Sequence, residues 1–281
     1  MRFSTSLILV ALAVSAPAYA DDDTPAWLER SSLSVSEAGD NDVQFEFETI
    51  QPLMQTPETN EHTVFVQARI AKEKDDEILN IGLGYRNLNE DQSLLLGVNA
   101  FYDATTEYDH RRGSVGLEAM GKTFTARANI YSAFSDEKSI TEGSVTTYQT
   151  ALDGYDVSLD MPVPYTPWVR FQATSYKWSA VKGFDDVKGA KAALVGNLNQ
   201  NVSFEVGADD NNYNGTDGFV KLQYNMAGIS TNGVTASLAD GATSDAMSVE
   251  RDLSQHVLDK VVRNNNIVAQ TRGGIVIGRT D

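Results

Sequence analysis

Short stretches of this chain alternate apolar with polar side chains, and the alternation is almost unbroken in several of them. Phe124, Ala126, Ala128 and Ile130 fall on one side while Thr125, Arg127, Asn129 and Tyr131 fall on the other. Val202, Phe204, Val206 and Ala208 oppose Ser203, Glu205, Gly207 and Asp209, and Tyr155, Val157, Leu159 and Met161 oppose Asp156, Ser158 and Asp160. Side chains on a strand point to opposite faces with a period of two, so each stretch has one apolar and one hydrophilic face. The pattern predicts strands at 31–37, 43–50, 62–71, 77–87, 91–103, 111–120, 122–134, 151–161, 167–178, 187–197, 201–211 and 217–226. A soluble sandwich would pack the apolar faces together, whereas an outer-membrane barrel turns them to lipid and lines water with the polar ones. The expected fold is therefore all-β, a twelve-stranded antiparallel transmembrane β-barrel over residues 31–226. The alternative is a periplasmic or secreted β-sandwich.

An even strand number puts both barrel ends on the periplasmic side. The connectors then expected outside (38–42, 72–76, 104–110, 135–150, 179–186 and 212–216) are longer and richer in charge, Gly and Asn than those expected inside. The exception is 51–61, which is long and holds two prolines. Lipid contacts are expected from Val43, Phe45 and Phe47; Val64, Val66 and Ala68; Leu79, Ile81 and Leu83; Leu94, Leu96 and Val98; Val169, Phe171 and Ala173; and Val220, Leu222 and Tyr224. Tyr85, Tyr102, Tyr155, Trp168, Trp178 and Tyr224 lie near strand ends, where aromatic girdles sit. The same register turns Glu46, Glu48, Arg69, Arg86, Glu118, Arg127, Asp156, Asp160, Glu205 and Lys221 into the lumen. There such charges pair with one another, meet a plug, or set ion selectivity.

The first twenty residues support the membrane reading. Arg2, the apolar run Leu7 to Val14 and the small-x-small pattern Ala18-Tyr19-Ala20 describe a secretory signal (1–20), cleaved near Ala20. Residues 21–30, opening on Asp21-Asp22-Asp23, are expected to form an N-terminal periplasmic segment. No later stretch approaches the eighteen apolar residues of a membrane helix. The absence of cysteine excludes a disulfide framework. The formal charge of −17 disfavours nucleic acid as a partner, since it would repel phosphate. A mean hydropathy of −0.30 does not argue against a barrel, because only half of each strand meets lipid. Outer-membrane lipid of a Gram-negative cell is the expected surrounding.

The pattern changes after Met226. Residues 227–244 are small, polar and Gly-rich, and read as a linker. Asp245 to Arg263 reads as a helix, with Val249, Leu253, Val257 and Val261 recurring every four residues and polar residues elsewhere. At about 1.5 Å per residue it would be a rod of about 28 Å. That is close to a membrane's thickness but too polar for lipid, so the expectation is a C-terminal helix inside the lumen. Chemistry is sparse. The histidines are His62, His110 and His256. His110 and Ser114 share a strand face but stand about 13 Å apart, beyond a catalytic pairing, and His110 reads as an exposed loop residue. Asp210-Asn211-Asn212-Tyr213-Asn214-Gly215 begins like a calcium loop, but its twelfth position is Lys221 where a Glu is needed, so it reads as a turn. No catalytic, metal or cofactor site is expected.

One resemblance stands out. Gly97-Val98-Asn99-Ala100-Phe101-Tyr102-Asp103, Gly113-Ser114-Val115-Gly116-Leu117-Glu118, Ala151-Leu152-Asp153-Gly154-Tyr155-Asp156-Val157 and, most specifically, Arg263-Asn264-Asn265-Asn266-Ile267-Val268 resemble the translocation domain of the intimin/invasin family, the inverse autotransporters. The resemblance covers about residues 27–270. It implies a twelve-stranded outer-membrane barrel whose pore holds a linker (here 245–270) carrying a passenger to the surface. It also implies assembly with periplasmic chaperones and the barrel-assembly machinery. In the sequence as given, the tail 271–281 is too short for an adhesin domain, so the resemblance is to the anchor and conduit without cargo. The competing expectation is a small porin-like channel with a periplasmic or plug-like C-terminal tail.

Overall fold

A computed structural model describes residues 25–38, 42–74, 76–142, 145–226, 237–238, 241–242, 250–271 and 274–276. The expected signal segment, most of the linker 227–244 and the expected helix start at 245–249 lie outside the described residues. After the single turn α1 (Ala26–Glu29), strands run in hairpin succession: β1 (Ser31–Ala38), β2 (Asp42–Gln55), β3 (His62–Glu73), β4 (Asp76–Leu88), β5 (Leu94–Thr105), β6 (Arg111–Gly121) and β7 (Thr125–Ala133). A separate hairpin, β8 (Lys138–Glu142) and β9 (Val145–Ala151), interrupts them. The succession resumes with β10 (Asp153–Val163), β11 (Thr166–Ser179), β12 (Val187–Asn197), β13 (Val202–Asn211) and β14 (Gly215–Asn225). β14 pairs antiparallel with β1 and β10 with β7, so twelve strands close a barrel with no free edge.

The faces are inverted relative to a soluble protein. Ile130 is 68 % exposed on the outer face, and Phe45, Leu83, Val115, Leu117 and Leu159 are likewise exposed. Arg86 and Arg112 are fully buried on the inner one. Large apolar side chains left in water would each cost about 1.5–3 kcal/mol against burial, so this belt calls for an apolar surrounding.

Several expectations change. Connector 51–61 shortens to 56–61 because β2 continues to Gln55, with a register shift between Pro52 and Met54 that accommodates a residue lacking an N–H. The expected loop 135–150 contains the β8–β9 hairpin. Trp178, expected at the interface, is completely buried inside, packed with Tyr131, Leu152, Tyr176 and Val187. Its strand parity matches that of Gln172, and the lumen holds apolar partners that the alternation alone does not reveal. Val169, expected against lipid, is buried. Its neighbour across the strand is Gly196, over which the Phe204 ring folds, and Phe204 packs against Trp168.

Among the described residues the C-terminal segment is not an α-helix. Residues 250–268 cross the barrel as irregular chain: a 3-10 turn, Leu253–Gln255, capped by the Asp252 carboxylate accepting from Ser254 N–H at 3.0 Å, a second turn at 257–258, and mostly extended backbone from 259 on. The physical reason lies in its carbonyls. A helix satisfies them internally, whereas here they face cationic and amide side chains of the wall. About ten extended residues at about 3.3 Å each cross a hydrocarbon core of about 30 Å, so the segment needs no helix to span it.

Candidate functional site

Among the described residues the barrel encloses one lumen, and the C-terminal segment occupies it. The path begins at the barrel end where β1 starts and β14 finishes. Arg251 N–H donates to Lys122 O at 2.9 Å, and its guanidinium reaches Gly121 O (2.7 Å) and Thr125 Oγ1 (2.8 Å) in the β6–β7 turn. Leu253 and Val257 then pack with Leu88, Leu95 and Met120. Arg86 donates to Val257 O (3.0 Å) and Asp259 O (2.6 Å) while pairing with Glu118 (2.6 Å). Midway, Val261 joins Ile50, Phe65 and Phe101, and its N–H donates to Gln67 Oε1 at 2.9 Å.

Beyond Val261 sits a buried ionic cluster. Arg263 clamps Asp103 through both terminal nitrogens (3.0 and 2.5 Å). Arg112 donates its Nε to the same carboxylate at 2.9 Å. Its remaining nitrogens reach Asn264 O (2.7 Å) and Asn266 O (2.8 Å). Asn80 spans Asp103 Oδ1 and Asn265 O, both at 2.8 Å. Tyr131 donates to Asp156 (2.6 Å) and accepts from Asn264 N–H (2.7 Å). Ile267 and Val268 are buried near the far end, where Val268 O accepts from Leu152 N–H at 2.9 Å. There β15 (Ala269–Thr271) adds to the edge of β9, and β16 (Gly274–Val276) adds to β15, giving a four-stranded sheet β16-β15-β9-β8.

Two glycines make room for this. Gly84 faces Phe65 across β3–β4 and Gly82 faces Phe101 across β4–β5. A Cβ on either would stand under 2.6 Å from the ring. The rings therefore lie flat against the wall and present their faces inward. Arg86 sits over Phe65 at 4.8 Å, and Arg263 of the tail over Phe101 at 4.5 Å.

The other inward charges mostly pair. Glu46 meets Arg69 and Lys221, Asp160 meets Arg170, Glu205 meets Lys191 (3.0 Å), and Glu48 meets Lys260 of the tail (3.3 Å). Arg127 lies in the field of Asp160, Glu118 and Asp259, with its Nε and Nη1 unpartnered among the described residues. Asp103, Arg112, Asn80, Gln67 and Tyr131 were not among the sequence candidates. The signal was available: Arg112 shares the parity of Glu118, and Asp103 lies two positions along from Phe101 on the inner face.

The histidines assemble no catalytic pair. His110 is buried rather than exposed, because the β8–β9 hairpin covers it. Its ring contacts Gln149 Oε1 (2.7 Å) and Ser135 Oγ (3.4 Å), and burial pushes its pKa down. His62 meets Tyr85, and His256 meets Asp259. In the Asp210–Gly215 turn, Asn211 Oδ1 accepts from Tyr213 and Asn214 N–H, and Gly215 takes φ +74.

A family model described as the inverse autotransporter β-domain matches residues 19–265. No curated protein matches the sequence. Among solved structures, a chain from a study of in-meso crystallization of membrane proteins is similar with a TM-score of 0.64 at 16 % identity, over 86 % of this chain and 99 % of that one. The KdgM porin (TM-score 0.47, 9 % identity, 69 % of this chain and 98 % of that one) is also similar. So is outer membrane phospholipase A from Escherichia coli (TM-score 0.45, 10 % identity, 74 % and 95 %). At 16 % identity the first of these likenesses is one of fold.

Proposed function

Because this chain belongs to the inverse autotransporter β-domain family and is an outer-membrane β-barrel, we propose that it serves as an intimin/invasin-type anchor and conduit. Its own C-terminal segment is the threaded chain. The observation that supports this reading is the path of residues 250–271. They enter at the end where β1 starts and β14 finishes, cross the lumen through two short turns and then open chain, and leave at the opposite end to pair with β9. In the family's orientation the entry is periplasmic and the exit faces the medium. The lumen-lining groups and the exit motif Arg263 to Ile267 then act as a clamp on the tail, not as chemistry on a substrate. Export by a signal cleaved near Ala20, chaperone escort and the barrel-assembly machinery belong to the same proposal.

The test is topological. Epitopes inserted in the β8–β9 turn and after Val276 should both be labelled on intact cells, while one at Asp91 in the β4–β5 turn should need permeabilisation. If the epitope after Val276 is labelled only after permeabilisation, the tail is periplasmic and the porin-like channel replaces the conduit.

A further inference from the structure

The tail does not fill the lumen evenly. On β3 to β6 the inward residues from Thr63 through Met120 are buried except Glu73 and Asp76 at the rim, and those of β10 from Asp156 to Pro162 are buried as well. On β13 and β14 every inward residue from Ser203 to Asp209 and from Asp217 to Gln223 is only half-buried. The charged side chains show the contrast in numbers. Arg86, Arg112 and Asp103 are 0 % exposed, whereas Glu205 is 20 % and Lys221 is 22 % exposed, although all five point inward. The clusters that grip the tail explain the asymmetry, since Leu253, Val257 and Val261 all anchor to β2–β6. A cavity of about 20 Å³ lies on the tail's other side, bordered by Ser158, Gln172, Thr174, Lys191, Val262 and Asn264. Two of the groups on this cavity are almost wholly buried yet unsatisfied. The Asn264 side-chain amide and the Trp178 indole N–H have no hydrogen-bond partner among the described residues. A void above about 15 Å³ lined by such groups holds water, because leaving them dry costs about 1–3 kcal/mol each.

We infer that the threaded tail seals the β2–β7 side of the lumen and, at the exit, packs on β11 and β12 through Val268, and that a hydrated crevice running from this cavity along β13 and β14 passes water and small inorganic ions. This rests on the threaded-tail reading above. The barrel is thus a narrow ion path while its tail is in place, lined by Thr174, Lys191, Glu205, Lys221 and Gln223. Lys191 and Glu205 pair along its wall on neighbouring strands, and the Phe219 ring lies flat over Gly207 with Lys191 above it.

The sequence contains no cysteine, so single thiols report position cleanly. Thr174→Cys and Gln223→Cys would line the crevice, and Ser114→Cys would lie on the tail-covered wall. The full chain of each variant is refolded into planar bilayers in potassium chloride and exposed to a cationic methanethiosulfonate. The expected result is rapid modification at 174 and 223, each with a several-fold loss of the current carried by the intact chain, and protection at 114. Rapid modification at all three positions would remove the threaded tail and this inference with it. Protection at all three with no current would leave the threaded tail standing and overturn the crevice. Modification at 174 and 223 without loss of current would also overturn it.

Discussion

Asp103→Asn isolates the clamp on the tail. In the native chain one carboxylate faces two guanidinium groups, Arg112 of the wall and Arg263 of the tail, and all three side chains are 0 % exposed. The amide keeps the shape and some hydrogen bonding but leaves two cations buried side by side with no anion bonded to either. Removing one member of a buried ionic group costs about 3–5 kcal/mol, chiefly the penalty of the charge left behind. That penalty falls on the threaded state. With the tail out, lumen water solvates Arg112, and Arg263 sits in solvent. The threading equilibrium should therefore shift by about 150- to 4000-fold toward the open lumen, taking about 1.4 kcal/mol per tenfold. Arg263→Gln removes the tail's cation but leaves Asp103 paired with Arg112. It forfeits the two-nitrogen contact with Asp103 and the contact over Phe101 but strands no charge, so it should cost less than removing the shared carboxylate. The assay is single-channel conductance of the refolded chain. The asparagine variant should show frequent transitions to the large conductance of a barrel lacking 250–281, and Arg263→Gln should show fewer. Equal behaviour of the two variants, or greater opening in Arg263→Gln, would refute the argument that the stranded charge dominates.

Other consequences are open to measurement. Leu253→Ala empties a fully buried site against Leu88, Leu95 and Met120 and should weaken the lower anchor by about 2–5 kcal/mol, read as faster proteolysis between 250 and 258 with the barrel intact. Ile81→Arg places a cation at the middle of β4 on the outer face and should lower stability in lipid by about 2–4 kcal/mol in urea titrations, whereas Ile81→Val should be near neutral. His110 has its pKa lowered by burial, so its folded state binds fewer protons than the unfolded loop. Its contribution is complete above the unfolded value of about 6.5 and is lost as pH falls below it. Acidification from pH 7.5 to 5 should therefore increase proteolysis in 134–150, and His110→Gln should abolish that dependence.

The strand alternation was legible because its period is imposed by lipid on one side and polar lumen on the other. It reaches residues such as Phe124 to Tyr131 without help from tertiary context. The tail was misread for a reason of arithmetic. Leu253, Val257 and Val261 are spaced by four, near one turn of a helix, but two short turns over 253–258 set the first interval and open chain the second. The discriminating positions were three residues on, where a helical core stripe needs apolar side chains. They are His256, Lys260 and Asn264. Trp178 and His110 were misplaced because their surroundings come from elsewhere in the chain. Val268 packs beside Trp178, and Gln149 reaches His110 from the β8–β9 hairpin. No local pattern announces pairings separated by tens of residues.

The wall reads the tail mainly through its backbone, and that has a consequence for what the lumen can hold. Arg86 bonds Val257 and Asp259 carbonyls, Arg112 those of Asn264 and Asn266, Asn80 that of Asn265, and Asn129 that of Val262. Every extended residue offers a carbonyl, so these donors would grip other sequences in the same conformation, while a helix would offer them nothing. Register must then come from side chains. Arg263 on Asp103 and the Phe101 face supplies it, together with the three apolar anchors below. The donors also explain why buried arginines are tolerable here. Each keeps an acidic partner on the wall, Glu118 for Arg86 and Asp103 for Arg112, and uses its remaining nitrogens on the tail. A departing tail would leave those nitrogens to lumen water, so the wall stays satisfied in both states and the chain passing through it sets the difference.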